Sequence, residues 1–138
     1  MVDFKRIVIP VDNTEDSKNA VKKGILLAKL LQVEAKIITV NDTHQFMSSV
    51  VLEEKLKKEA TAFMDEFKEI ANEHGVKADA ELITGKPAEE IAKFVKEDDL
   101  IIIAHHDRSK GIDRFMEENV SRDVVRNAPC SVLVIKNG

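Results

Sequence analysis

Ile7-Val8-Ile9-Pro10-Val11-Asp12 is a run of apolar residues that ends at a carboxylate. The run is too short for a helix and rich in β-branched residues, which is typical of a strand buried on both faces of a parallel sheet. Asp12-Asn13-Thr14 can cap a helix, and small and apolar residues then recur at spacings of three and four through Leu31. The sequence therefore predicts a first strand over residues 4–11, followed directly by an amphipathic helix.

The same alternation of strand and helix continues to the C-terminus. Strand-type patterns lie at residues 35–40 (AKIITV), 77–83 (KADAELI), 100–104 (LIIIA) and 132–135 (VLVI). Helix-type spacing occurs over residues 52–70, 88–95 and 120–128, with a C-terminal stop at His74-Gly75 and a start at Pro87. Because strands alternate with helices, this order predicts an α/β fold in which right-handed connections join parallel strands. We expect a doubly wound five-stranded parallel sheet, with helices on both faces and strand order 3-2-1-4-5.

Length and charge limit the classes of protein to which the chain can belong. Its 138 residues fit a single domain, residues 1–138, and 43% hydrophobic with 33% charged residues exclude a disordered chain. No apolar run approaches the roughly 20 residues that span a bilayer, and a net charge of -4 disfavours nucleic acid as a partner. Cys130 is the one cysteine, so an internal disulfide is excluded. With no signal-peptide pattern at the start, we expect a soluble cytoplasmic protein.

Several stretches, in the expected order and spread over nearly the whole chain, resemble the universal stress protein family. They are residues 7–17 (IVIPVDNTEDS), 84–88 (TGKPA), 99–103 (DLIII) and 127–135 (NAPCSVLVI). The resemblance implies a doubly wound five-stranded domain, a homodimer joined through the last strand, and a role in stress adaptation and signalling. Many members bind ATP and others bind no nucleotide, so the ligand stays open between ATP, AMP and none.

The resemblance also identifies where a nucleotide's phosphates would bind. Family members that bind ATP carry a glycine pattern after the fourth strand, in which bare backbone N–H groups approach the phosphates. Here Ala104 and Asp107 replace the first two glycines, Glu118-Asn119 replaces a Gly-Ser pair, and the loop is one residue longer. Two like charges about 4 Å apart repel by about 4 kcal/mol at an effective dielectric near 20. We therefore predict an impaired ATP cradle, partly compensated by nearby cations at Arg108, Lys110 and Arg114.

By family position, eight residues are candidates for contact with an adenine nucleotide. Asp12 matches the residue that faces the adenine and ribose, and its alternative role is capping the first helix. Pro10 and Val40 match positions that line the base pocket, although both are also ordinary core residues. The remaining candidates are Ala104, His106, Arg108, Asn119 and Ser121.

A metal-dependent hydrolase is the alternative from a different class. His105-His106-Asp107 follows the fourth strand and faces Asp12 across the predicted crevice, which brings imidazoles and carboxylates together. Adjacent residues at a strand end point in opposite directions, so we predict no metal site. The chain has no nucleophile elbow and no Walker motif, and we therefore expect a binding module without catalytic residues.

Two further segments suggest contacts with partners. Val132-Leu133-Val134-Ile135 is uncharged and is predicted at an edge of the sheet, where pairing with a second copy would cover it. The polar loop of residues 41–49 contains Phe46-Met47, which we interpret either as packed over a helix or as an exposed lid.

Overall fold

The computed structural model describes residues 4–42, 50–105 and 118–136, and for residues 50–52, 118 and 119 it describes the backbone alone. In these residues five strands alternate with four helices. The strands are β1 (Arg6–Pro10), β2 (Glu34–Asn41), β3 (Ala78–Thr84), β4 (Asp99–His105) and β5 (Ser131–Lys136). The helices are α1 (Glu15–Leu31), α2 (Val50–Glu73), α3 (Pro87–Phe94) and α4 (Glu118–Asn127).

All strand pairs are parallel, and the order across the sheet is β3-β2-β1-β4-β5. The predicted strand order is therefore confirmed. β1 is the central strand, and its neighbours β2 and β4 lead away from it in opposite directions. This reversal follows from the sequence, because β1 and β4 carry the most uniformly apolar runs and so occupy the middle of the sheet.

The helices cover both faces of the sheet and create two separate cores. Ile7 and Ile9 pack with α1 and α2 in the larger core. Val8 lies between them in sequence and packs with α3 and α4 in the smaller core. Alternate residues of one strand thus point to opposite helical layers, as expected for a strand that is buried on both sides.

The ends of the helices follow local rules that the sequence made visible. α2 ends one residue before His74, and Gly75 adopts a left-handed backbone with φ of 71°. His74 contacts the helix through Nδ1, which lies 2.9 Å from the carbonyl oxygen of Ile70. α3 begins at Pro87, where a missing N–H group costs nothing.

A part-buried ion pair ties β1 to β4 at the amino ends of the two strands. The guanidinium of Arg6 donates to both carboxylate oxygens of Asp99 at 3.0 and 2.8 Å, and the backbone N–H of Lys96 donates to the same carboxylate at 2.8 Å. The hydrogen bond to Asp99 raises the pKa of Arg6. Arg6 also lies 5.0 Å from the ring centroid of Phe94, within the range of a cation–π contact.

Candidate functional site

The carboxyl ends of β1 and β4 form the place where a ligand is expected. In open parallel sheets, ligands bind beyond the carboxyl ends of the strands where the strand order reverses. Here that point lies between β1, which leads to α1 through residues 11–14, and β4, which ends at His105. The structure therefore confirms the strand order from which the position of the crevice was predicted.

The pairing between β1 and β4 ends before either strand does. The paired residues are Arg6–Asp99, Ile7–Leu100 and Val8–Ile101. On its other side β1 remains paired to β2 through Pro10–Ile38, and β4 remains paired to β5 through His105–Lys136. We call the facing segments beyond this point, residues 9–12 and residues 102–105, the β1–β4 seam.

Asp12 lies at the seam, is 0% exposed, and is held by the start of α1. Its Oδ1 accepts hydrogen bonds from the hydroxyls of Thr14 at 2.5 Å and Ser17 at 2.7 Å. Its backbone N–H donates to the Oγ of Ser17 at 2.9 Å. The residue that caps α1 is Thr14, whose Oγ1 accepts the N–H of Ser17 at 3.1 Å. The sequence left the cap open among residues 12–14, and the structure assigns it to Thr14, with Asp12 supporting the Thr14 hydroxyl.

Three of the predicted site residues are apolar and buried near the carboxyl ends of their strands, and Val40 packs in the smaller core. Pro10 is buried at the end of β1, Val40 is 2% exposed near the end of β2, and Ala104 is 1% exposed near the end of β4. The end of β1 is fixed by β2, because Val11 donates its N–H to the carbonyl of Ile38 at 2.8 Å. The hydroxyl of Thr39 donates to the carbonyl of Val11 at 2.7 Å.

The remaining predicted contact residues belong to α4 or to the segment before it. Ser121 lies in the first turn of α4 and is 5% exposed. The backbone of Asn119 is helical, and its side chain lies outside the described residues. His106 and Arg108 also lie outside the described residues, as do Asp107 and the Phe46-Met47 pair.

His105 is the described part of the predicted metal or general-base cluster. It is half-buried at the last position of β4. Among the described residues, no group of three or more histidine, cysteine, aspartate or glutamate side chains is arranged to hold a metal ion. His106 and Asp107 are not among those residues, so the metal hypothesis is not decided by the geometry.

Cys130 lies at the opposite end of the sheet from the seam. It is half-buried immediately before β5, and its pKa is raised mainly by burial and also by the negative charge of Asp99. A raised pKa lowers the thiolate fraction, which is the reactive form. This is consistent with the chemically inert cysteine that the apolar sequence context predicts.

Sequence reasoning missed the importance of Ser17. Its side chain, 0% exposed, is both an acceptor for the Asp12 N–H and a donor to the Asp12 carboxylate. A serine three residues after a capping threonine, on the buried stripe of α1, is the signal that would have found it.

In the described part of the chain, no helix combines the length and apolar character of a membrane span.

Known proteins share this fold. The model of the universal stress protein family matches residues 3–136. The universal stress protein MJ0531 of Methanocaldococcus jannaschii is 36% identical, with 96% of this chain and 82% of the relative covered. A putative universal stress protein of Staphylococcus epidermidis is 31% identical, with 99% of this chain and 86% of the relative covered.

Solved structures show the same architecture. The hypothetical protein MJ0577 has a TM-score of 0.83 at 26% identity, with 99% of each chain covered. A universal stress protein solved with cAMP has a TM-score of 0.72 at 19% identity, with 96% of this chain and 97% of the other covered. One from Archaeoglobus fulgidus, solved with dAMP, has a TM-score of 0.71 at 20% identity, with 99% of this chain and 100% of the other covered. Since the family model spans almost the whole chain and the relatives align over nearly its full length, this chain belongs to the universal stress protein family.

Proposed function

We propose that this protein is a non-catalytic binding module of the stress response whose β1–β4 seam takes an adenosine monophosphate and does not hold ATP. The observation that carries the proposal is the early end of the β1–β4 pairing, at Val8–Ile101. It lies at the point where the strand order reverses and is flanked by the buried apolar residues Pro10, Val40 and Ala104. An apolar site with a few fixed polar groups suits a purine ring.

The choice of a monophosphate is supported by two structural neighbours. The ligands cAMP and dAMP each carry one phosphate, and both are bound by proteins with this fold. A monophosphate needs fewer backbone donors than a triphosphate does. This chain lacks the glycines that supply those donors in ATP-binding members of the family, with Ala104 and Asp107 in their places.

Electrostatic repulsion is the argument against a triphosphate. The sequence places the carboxylates of Asp107 and Glu118 at positions that are glycines in ATP-binding relatives. One like-charge pair about 4 Å apart costs about 4 kcal/mol at an effective dielectric near 20, which is a factor of about 10³ in affinity. A ligand with a short phosphate tail avoids part of this repulsion.

The absence of catalysis is supported by the role of Asp12. Its Oδ1 already accepts hydrogen bonds from the hydroxyls of Thr14 and Ser17, so the carboxylate is committed to the start of α1. A general base needs a reacting proton within hydrogen-bond reach. Asp12, at 0% exposure, is better suited to fixing the edge of the site.

The proposal includes a cytoplasmic homodimer joined through β5. In the part of the chain that the structure describes, this strand is an edge of the sheet and has β4 as its one neighbour. Leu133 is 42% exposed on it, which leaves a large apolar side chain beside unpaired backbone. Pairing with the same strand of a second copy satisfies the backbone and covers Leu133.

Isothermal titration calorimetry of the purified protein with AMP, ADP and ATP tests the ligand. We expect AMP to bind with a Kd on the order of micromolar and ATP at least tenfold more weakly. GMP is the control for recognition of the base, because it carries the same phosphate. ATP binding as tightly as AMP would contradict the impaired cradle, and silence with all three adenine nucleotides would contradict nucleotide binding altogether.

A further inference from the structure

The β1–β4 pairing ends at Val8–Ile101, two residues before Pro10, and the hydrogen-bond register explains why. Val11 donates its N–H to Ile38 of β2. Successive residues of a strand direct their N–H groups to opposite sides, so residue 10 is directed toward β4. From the last pair, Val8–Ile101, the ladder would continue with an N–H of residue 10 donating to the carbonyl of Ile102. Residue 10 is proline and has no N–H to donate.

The next donor on the same side of β1 is also withheld from β4. It is the N–H of Asp12, and it donates to the Oγ of Ser17 at 2.9 Å. Beyond Val8, the backbone of β1 therefore offers β4 no donor from either residue 10 or residue 12. The β1–β4 ladder ends after Val8–Ile101 because the next nitrogen directed toward β4, that of Pro10, carries no hydrogen.

We propose that Pro10 is a positioning residue that holds the β1–β4 seam open for the ligand. Paired strands lie about 4.8 Å apart, which leaves no room for a ligand group between them. A donor at residue 10 extends the ladder by at least the bond to Ile102 and draws the ends of the two strands together. This role is separate from contact between the proline ring and a base. The predicted effect of Pro10 on ligand affinity rests on the proposed function, whereas its predicted effect on β1–β4 pairing does not.

Pro10→Ala tests the proposal because it introduces the missing N–H. In amide hydrogen exchange followed by NMR, we expect the new amide at position 10 to be protected to within roughly tenfold of the Val8 amide, as a ladder hydrogen bond requires. We expect AMP affinity to fall at least tenfold, while the midpoint of urea unfolding does not decrease. Weaker binding without loss of stability is the result that a merely structural proline would not give. Pro10→Val, which suits a strand better, is the second variant if alanine perturbs folding.

Pro129→Ala is the matched control, because Pro129 is exposed in the link between α4 and β5. It should leave both the exchange of the β1 amides and AMP binding unchanged. An amide at position 10 that exchanges as fast as an unstructured peptide would overturn the proposal, and so would unchanged AMP affinity despite a protected amide. If the wild-type protein binds no AMP, the proposed function fails, and protection at position 10 still decides whether the proline keeps the ladder open.

Discussion

Ser17→Ala is expected to destabilise the protein by about 2–4 kcal/mol, although it removes a single oxygen atom. The Ser17 side chain is 0% exposed and makes two hydrogen bonds to Asp12, one to its N–H and one to its carboxylate. A buried donor left without a partner costs about 1–3 kcal/mol, and a hydrogen bond to a charged group contributes about 1.5–3 kcal/mol. The two contributions share one oxygen and are not additive, so we take a value below their full sum.

Urea unfolding monitored by circular dichroism measures this loss. The matched control is Ser131→Ala, because Ser131 is exposed at the start of β5 and should change the free energy of unfolding by less than about 0.5 kcal/mol. The slope of the free energy of unfolding against urea concentration should be the same in the wild type and in both variants, since all three retain the native fold. A loss for Ser17→Ala no larger than that of the control would refute the claim that Ser17 anchors Asp12.

The remaining predictions concern the ligand, the assembly and the thiol. The double variant Asp107→Gly/Glu118→Gly should raise ATP affinity by about 10² or more, since it removes two carboxylates from the phosphate positions; calorimetry showing no gain would mean that something else closes the site. Leu133→Glu should convert the homodimer to a monomer in light scattering, whereas Val125→Glu, which changes an exposed residue of α4, serves as the control. Because burial raises the pKa of Cys130, its reaction with a disulfide reagent should be slower than that of free cysteine at pH 8 and should reach its plateau at a higher pH. A rate equal to that of free cysteine would contradict the burial of the thiol.

Much of the fold was predictable because period and composition determine it locally. The IVIPV run of β1 and the LIIIA run of β4 identified central strands, and the regular spacing along α2 identified a long helix, as the structure confirms. Alternating strands and helices predicted a parallel sheet, and the order expected for a doubly wound domain is confirmed by the structure. Helix starts were less certain, since residues 12–14 all have capping side chains, and only geometry assigned the cap to Thr14.

The sequence predicted where three candidate residues lie in the fold, but not the hydrogen bonds around them. Asp12, Pro10 and Val40 were identified by family position, and all three lie at the carboxyl edge of the sheet. The sequence does not reveal hydrogen-bond parity, so it cannot tell that residue 10 is directed toward β4 and residue 11 toward β2. The position of Ser17, three residues after Thr14 on the buried stripe of α1, indicates a role, but only the geometry shows that its partners are the N–H and the carboxylate of Asp12.

The two ends of the β1–β4 pair have different chemistry, because one carries a cross-strand ion pair and the other lacks two backbone donors. At the amino end the bidentate contact between Arg6 and Asp99, with the Lys96 N–H, ties the strands together inside the protein. Because Arg6 is 21% exposed, losing it costs less than losing a partner from a fully buried pair, but it would leave the 2% exposed Asp99 carboxylate without its guanidinium partner. At the carboxyl end Pro10 has no N–H to donate and the Asp12 N–H donates to Ser17, so neither residue offers β4 a backbone donor where a ligand is expected. A pair that is closed at one end and open at the other can change its ligand contacts at the seam without loosening the central sheet.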